Sequence, residues 1–285
     1  MTPRLSILIY HRVLARPDPL LPSLPDVRRF DRQMTLLKRC FRVLSLAHAA
    51  RRLQDETLPA RAACITFDDG YADNVALALP VLRRHGLHAT FFIASGYLDG
   101  GQMWNDDVIT HVRRTVPGTP AQQRATLDHL LGRLKYLPFD ERQAAVAALT
   151  GAPSRGSELM MRSCQVRALL DAGMDIGAHT HRHPILAAIP DRQALAEIAE
   201  GKAALEAIAR TPVTLFAYPN GKPGVDYTQR HVDMVNALGF EAAVSTSPGA
   251  AYPGSDVLQL PRFTPWEQDL PRFLLRLLES RMRAV

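Results

Sequence analysis

The 285-residue sequence has little cysteine, no long apolar run and no block of like charge. Its three cysteines, Cys40, Cys64 and Cys164, are odd in number and widely spaced, so they form neither a disulfide framework nor a zinc ribbon and agree with a reducing compartment. No apolar run approaches the roughly 18 residues of a membrane span, and no transmembrane segment is expected. The apolar stretch from Leu5 to Tyr10 ends at His11 and Arg12, short of the about 7–15 residues of a signal peptide's apolar region. As written, the chain is expected to be cytoplasmic, and periplasmic or exported if a leader has been trimmed. The formal charge of +6 is scattered along the chain, which argues against nucleic acid as a partner. Repeats and low-complexity tracts are also missing.

What is present is an alternation of short β-branched or apolar runs with longer segments of helical periodicity, the pattern of parallel strands joined by crossover helices. The predicted strands are Ser6–Tyr10, Ala62–Phe67, Ala89–Ala94, Met174–Ala178, Val213–Tyr218, Glu241–Thr246 and Val257–Leu260. Helices with one apolar stripe are expected at Val27–Lys38, Val75–His85 and Ala194–Arg210. The length suits a single α/β barrel of about 250 residues carrying an insertion. One domain over residues 1–285 is therefore expected. Four prolines in Pro17–Pro25 predict a surface loop. Residues of roughly 105–160 carry helical patches at Asp107–Arg114, Ala121–Leu134 and Asp140–Leu149 without a strand signal, and predict a helical insertion. The arginine-rich stretch Pro271–Arg283 is expected to pack on the barrel through Phe273, Leu274, Leu277 and Leu278, with peripheral membrane contact left open. Oligomeric state is not legible.

Two motifs carry chemistry. In Thr66-Phe67-Asp68-Asp69-Gly70 an apolar strand ends in two adjacent carboxylates and a glycine. Adjacent strand residues point to opposite faces, so both carboxylates reach one site only if the pair lies past the regular strand, where Gly70 supplies the turn. The alternative is a helix start in which Asp69 caps the helix after Tyr71. In Gly177-Ala178-His179-Thr180-His181-Arg182-His183-Pro184, also after a predicted strand, a helical turn would put His179 and His183 on one face and aim His181 elsewhere. The alternative is a solvated loop. Together the motifs offer one carboxylate and two imidazoles, a set that suits zinc and equally ferrous iron. The second carboxylate favours hydrolysis, because a base beside a metal-bound water can take its proton.

These motifs, in this order, resemble the polysaccharide deacetylases of the NodB-homology type, carbohydrate esterase family four, with their Thr-Phe-Asp-Asp-Gly and His-Ser/Thr-x-x-His signatures. The resemblance implies an α/β fold, a distorted (β/α) barrel of seven or eight strands. It also implies that Asp68 is the general base and that Asp69, His179 and His183 bind one divalent metal ion, zinc by default. Where the family often reads Arg-x-Pro-Tyr, this chain reads Ala217-Tyr218-Pro219-Asn220-Gly221, so the arginine that would orient Asp68 is missing and something else must hold it. That form is similar to the branch acting on secreted and biofilm glycans. By position the backbone N–H of Asn220 is the candidate oxyanion donor, and Tyr218 is expected beside substrate. The family's late histidine is replaced by Leu260-Pro261-Arg262-Phe263, and no histidine follows His231. The substitute implied by the biofilm-glycan deacetylases is His11, in Ile9-Tyr10-His11-Arg12, as general acid. Trp104, opening the insertion, Arg262 and Trp266 are expected to line the substrate cleft.

The implied reaction is metal-dependent removal of acetyl groups from an N-acetylated sugar polymer or glycan, N-acetylglucosamine among the candidates, with the glycan or lipid-linked sugar left open. Two alternatives remain at this level: an amidase of small cyclic or formylated amides, and an inactive carbohydrate-binding relative that has lost the missing arginine and late histidine.

Overall fold

The computed structural model describes residues 3–151 and 158–282. Among them, parallel strands β1 (Leu5–Tyr10), β2 (Arg42–Val43), β3 (Ala62–Phe67), β4 (Thr90–Ile93), β5 (Asp175–Ala178), β6 (Leu215–Ala217), β7 (Ala242–Pro248) and β8 (Leu260–Arg262) form one sheet. The order is β1-β3-β4-β5-β6-β7-β8, with β2 paired to the start of β3 and β4 to its end. Phe263, just past β8, closes the circle by donating to Ile7 O (2.7 Å) and accepting from Ile9 N (3.0 Å). The result is a nearly closed seven-strand barrel, as the strand and helix alternation implies.

Helices α1 (Val27–Cys40), α2 (Leu46–Gln54), α3 (Leu79–His85), α7 (Ser163–Asp171), α8 (Asp191–Ala209), α9 (Gln229–Ala237) and α10 (Leu270–Ser280) accompany the strands. Period-2 alternation divides the apolar residues into two cores. Leu5, Ile7, Cys64, Phe92, Leu215, Val244 and Leu260 fill the barrel and meet Leu46, Ala49 and Leu53 of α2. Leu8, Tyr10, Ile65, Phe67, Phe91 and Ile93 face outward and pack against Phe30, Met34, Leu82 and Ile198 of the surrounding helices. Gly177 exists because of this filling: a Cβ there would lie 2.4 Å from the Phe92 ring.

Between β4 and β5 the described residues form helices α4 (Trp104–Thr115), α5 (Pro120–Lys135) and α6 (Phe139–Thr150), while residues 152–157 of the expected insertion lie outside the described residues. These helices have a small core of their own around Val108, Val112, Leu127, Leu134 and Val146, completed by Leu20 from the proline-rich loop.

Three expectations need correction. The last strand is not Val257–Leu260 but Leu260–Arg262, because Asp256 draws Val257–Gln259 into a turn, accepting from Leu258 N (2.9 Å) and Gln259 N (3.0 Å). The helix predicted at Val75–His85 begins as a π-turn over Asn74–Ala78, where Pro80 has no N–H to donate back to Ala76. In α10, Phe273 and Leu277 are buried against the barrel, but Leu278 faces out, 45% exposed.

Candidate active site

The barrel's inward-facing rows deliver the site. Leu5, Ile7 and Ile9 lead to His11; Ala62, Cys64 and Thr66 lead to Asp68; Leu260 leads to Arg262. Because these strands are parallel, all three rows end at the same C-terminal rim. Asp69 would point outward by the same alternation. It is turned back by two successive left-handed residues, Asp69 (φ 76°) and Gly70 (φ 92°), a conformation that costs little only at glycine. The N-capping alternative for Asp69 is not what is found, since the helical segment starts beyond Asp73.

His179 and His183 do come together, but not through the helical turn that their spacing suggests. Residues 179–183 form an irregular loop with left-handed Thr180 (φ 61°) and His183 (φ 55°). The Thr180 hydroxyl ties it, donating to His179 O (2.6 Å) and accepting from His183 N (3.0 Å). Glu197 of α8 anchors the residue before His183, accepting from Arg182 N and Arg182 Nε at 2.7 Å each. His181 turns away toward the Ser95 hydroxyl (3.0 Å).

One ligand atom each from Asp69, His179 and His183 lies within 4.8 Å of the other two. The two Nε2 atoms are 3.1 Å apart, and each is 3.5 Å from Asp69 Oδ1. His179 Nδ1 is 2.7 Å from Ala217 O, which assigns its proton to Nδ1 and leaves Nε2 facing the cluster. Two imidazole nitrogens and one carboxylate oxygen at these distances are a donor set that fits a divalent metal ion.

Burial alone would raise the carboxyl of Asp68. The Arg262 guanidinium and the His179 imidazole outweigh it, and Asp68 titrates below the ordinary carboxylate range. Asp69 is likewise lowered against burial, by its hydrogen bond with His179 and by the charges of His11 and His183. The histidines split: His183 is pushed down to about 3 by burial and by His179, whereas Asp69 and Asp68 raise His179 in spite of burial. At neutral pH both carboxylates are therefore charged, and Asp68 is available as a base.

Arg262 is the principal surprise. The sequence puts it on the substrate wall and finds no arginine for Asp68. In the structure Arg262 is 1% exposed, and its Nη1 and Nη2 each donate to Asp68 at 2.8 Å. Nη1 also reaches Thr66 Oγ1 (3.2 Å), and Nε donates to Ser245 O (2.7 Å). The arginine paired with Asp68 thus comes from β8. The available signal was an arginine flanked by Leu260, Pro261 and Phe263 on a barrel strand, since a buried arginine needs a carboxylate. Tyr218 is a second correction. It is fully buried, stacked on Tyr227 at 3.8 Å with its hydroxyl donating to Leu258 O (3.0 Å), and does not face the cleft.

His11, Trp104 and Asn220 do line the cleft with Asp68, Asp69, His179 and His183, around a cavity of about 400 Å³. His11 is steadied through its backbone: Asn74 Nδ2 donates to His11 O (2.9 Å), and Asp73 binds Arg12 Nε (2.7 Å) and Val13 N (3.2 Å). Trp104 carries the Arg142 guanidinium over its ring at 5.1 Å. Leu131, Gly132 and Lys135 of α5 complete the wall, and nothing in their sequence pattern distinguishes them from other helix-surface residues.

The sequence profile of the polysaccharide deacetylase family matches residues 55–243, a span that includes Asp68, Asp69, His179, His183 and Asn220 but not His11 or Arg262. YxkH of Bacillus subtilis strain 168, named for the same family, is 22% identical over 250 residues, or 87% of this chain. The chain spans 66% of that relative's length. The fold is similar to that of the deacetylase PplD of Streptococcus pyogenes in complex with acetate (TM-score 0.69, 20% identity, 97% of this chain and 98% of that one). It is also similar to IcaB from Ammonifex degensii (TM-score 0.67, 19% identity, 98% and 97% covered). A de-N-acetylase from Aggregatibacter actinomycetemcomitans matches at TM-score 0.65 and 15% identity, with 96% and 99% covered. With its two signature motifs inside a family match over most of its length, the chain belongs to the polysaccharide deacetylase family.

Proposed function

We propose that the protein hydrolyses the N-acetyl groups of an N-acetylated sugar polymer or glycan, releasing acetate and leaving a free amine. The observation that carries this reading is the placement of an arginine-held carboxylate, Asp68, 4.0 Å from His179 Nε2 in a three-residue metal-binding cluster. Asp69, His179 and His183 would hold one divalent ion, zinc by default, which when bound polarises the acetamido carbonyl and acidifies water. Asp68 takes the proton of the attacking water, and Arg262 keeps its carboxylate aimed and ionised. The backbone N–H of Asn220 faces the oxyanion that develops on the substrate carbonyl. His11, across the same cleft, gives a proton to the departing nitrogen. An inactive binding relative was considered because the orienting arginine and the late histidine are both missing from their usual places, and the pairing of Arg262 with Asp68 answers the first.

The test is acetate release from a panel of N-acetylated glycans, with metal content measured on the same preparation and Asp68→Asn as control. Release that stops in Asp68→Asn supports the reading. Equal release by both proteins, or hydrolysis of small cyclic amides only, overturns it.

A further inference from the structure

A second hollow adjoins the catalytic cleft on the side of β8. Its volume is about 240 Å³, and it shares Thr246 and Thr264 with the cleft, while Arg262 forms part of the wall between them. Three of its lining residues form a three-layer stack. Phe263, the residue that closes the barrel, lies under the Arg276 guanidinium at 5.1 Å, and Arg276 lies under the Trp266 indole at 4.3 Å. Arg276 is also ion-paired with Glu267, which is 5% exposed, so the middle layer is fixed from two directions. Trp266 remains 55% exposed. The Arg276 guanidinium stacks against its ring.

We infer that this hollow is a second sugar subsite, in which Trp266 stacks on a residue of the same chain flanking the one being deacetylated. The inference rests on the glycan reading above and narrows it to substrates of several linked N-acetylhexosamines. A rigid indole beside a hollow edged with hydroxyls, here Thr246 and Thr264, matches the apolar faces and equatorial hydroxyls of a β-linked hexose. Charge points the same way. Arg276 is neutralised by Glu267 and the exposed Glu279 adds an acidic group, so the hollow holds no excess positive charge for an anionic polymer.

The test titrates the purified full chain, with and without zinc, with N-acetylglucosamine and its β-1,4- and β-1,6-linked tri- and pentasaccharides. Binding is followed by calorimetry, and acetate release is measured in parallel. The pentasaccharide of one linkage should bind about tenfold or more tightly than the monosaccharide. Trp266→Ala should remove that gain without changing monosaccharide affinity, and Trp266→Phe should keep most of it. The indole is exposed, and matching melting curves for the variants establish that the fold is kept. Equal oligomer affinity in Trp266→Ala and the parent, or no gain with chain length in the parent, overturns the subsite. Oligomer binding that depends on Trp266 without acetate release overturns the deacetylase reading and leaves the subsite standing.

Discussion

Arg262 and Asp68, 194 residues apart in sequence, meet at the barrel rim through two parallel hydrogen bonds of 2.8 Å, with both side chains buried. The pair joins the last strand to the strand that carries the carboxylate motif. Replacing Arg262 by Met would leave Asp68 buried and unpartnered, a loss of about 3–5 kcal/mol in comparable sites. Arg262→Met should therefore melt well below the parent and lose turnover, whereas Arg262→Lys, which keeps the charge but not the two-pronged geometry, should fall between. Thermal unfolding and acetate release together measure this. A variant unchanged in both would sink the assignment of Arg262 as the positioning partner of Asp68.

Base, acid and ligand roles separate in one set of variants. Asp68→Asn should lower turnover by about 10²–10⁴-fold and retain the metal. His11→Ala should also retain it and lose about 10²-fold or more. His183→Ala should lose the metal itself. Elemental analysis alongside kinetics distinguishes the three, and near-normal turnover in metal-loaded His11→Ala places the acid elsewhere.

Asp106 sits just behind the cleft, accepting from the Tyr71 hydroxyl (3.0 Å), with Arg12 Nη1 at 3.9 Å. Burial pushes its carboxyl up to about 7; Asp69 and Asp107 add to the rise, and Arg12 and Tyr71 oppose it. The folded protein thus keeps a proton on Asp106 up to about pH 7, while the unfolded chain releases it near pH 4. Between those values the native state binds more protons, so this group's contribution to stability falls as pH rises. Asp106→Asn keeps an acceptor for Tyr71 and should flatten that slope, melting above the parent at pH 8. Parallel melting-temperature profiles for the two proteins would contradict this.

Gly201, on α8, faces the loop between the two histidines. A Cβ there would lie 2.5 Å from Thr180 C and 2.7 Å from Thr180 O, backbone atoms that have no flexible side chain to yield. Gly201→Ala should therefore displace the His179–His183 loop, costing about 1–3 kcal/mol of stability and weakening zinc binding. Zinc affinity from competition with a chromophoric chelator reads the effect, and an unchanged affinity would show that the loop absorbs the methyl group.

The site was legible in the sequence where its parts are contiguous. Asp68-Asp69-Gly70 and His179 to His183 each stand together at the end of a predicted strand, and parallel strands end at one rim. The helical insertion was legible for a similar reason, its periodicity being local. The boundary of β8 was not, because a turn held by Asp256 competes with the strand pattern of Val257–Leu260. Nor was the left-handed loop at Thr180 and His183, which takes its shape from Glu197 and the close approach of Gly201, both on α8.

Sequence by itself determined the alternating barrel and placed Asp68, Asp69, His179 and His183 at strand ends, since these follow from residue type and short-range spacing. Tertiary structure alone decided which arginine pairs with Asp68, that Tyr218 belongs to the core, and that Arg276 is layered between Phe263 and Trp266. The reason is geometric: closing a parallel barrel brings the last strand against the first and carries Arg262 to the rim where Asp68 ends β3. No pattern local to either residue records that meeting.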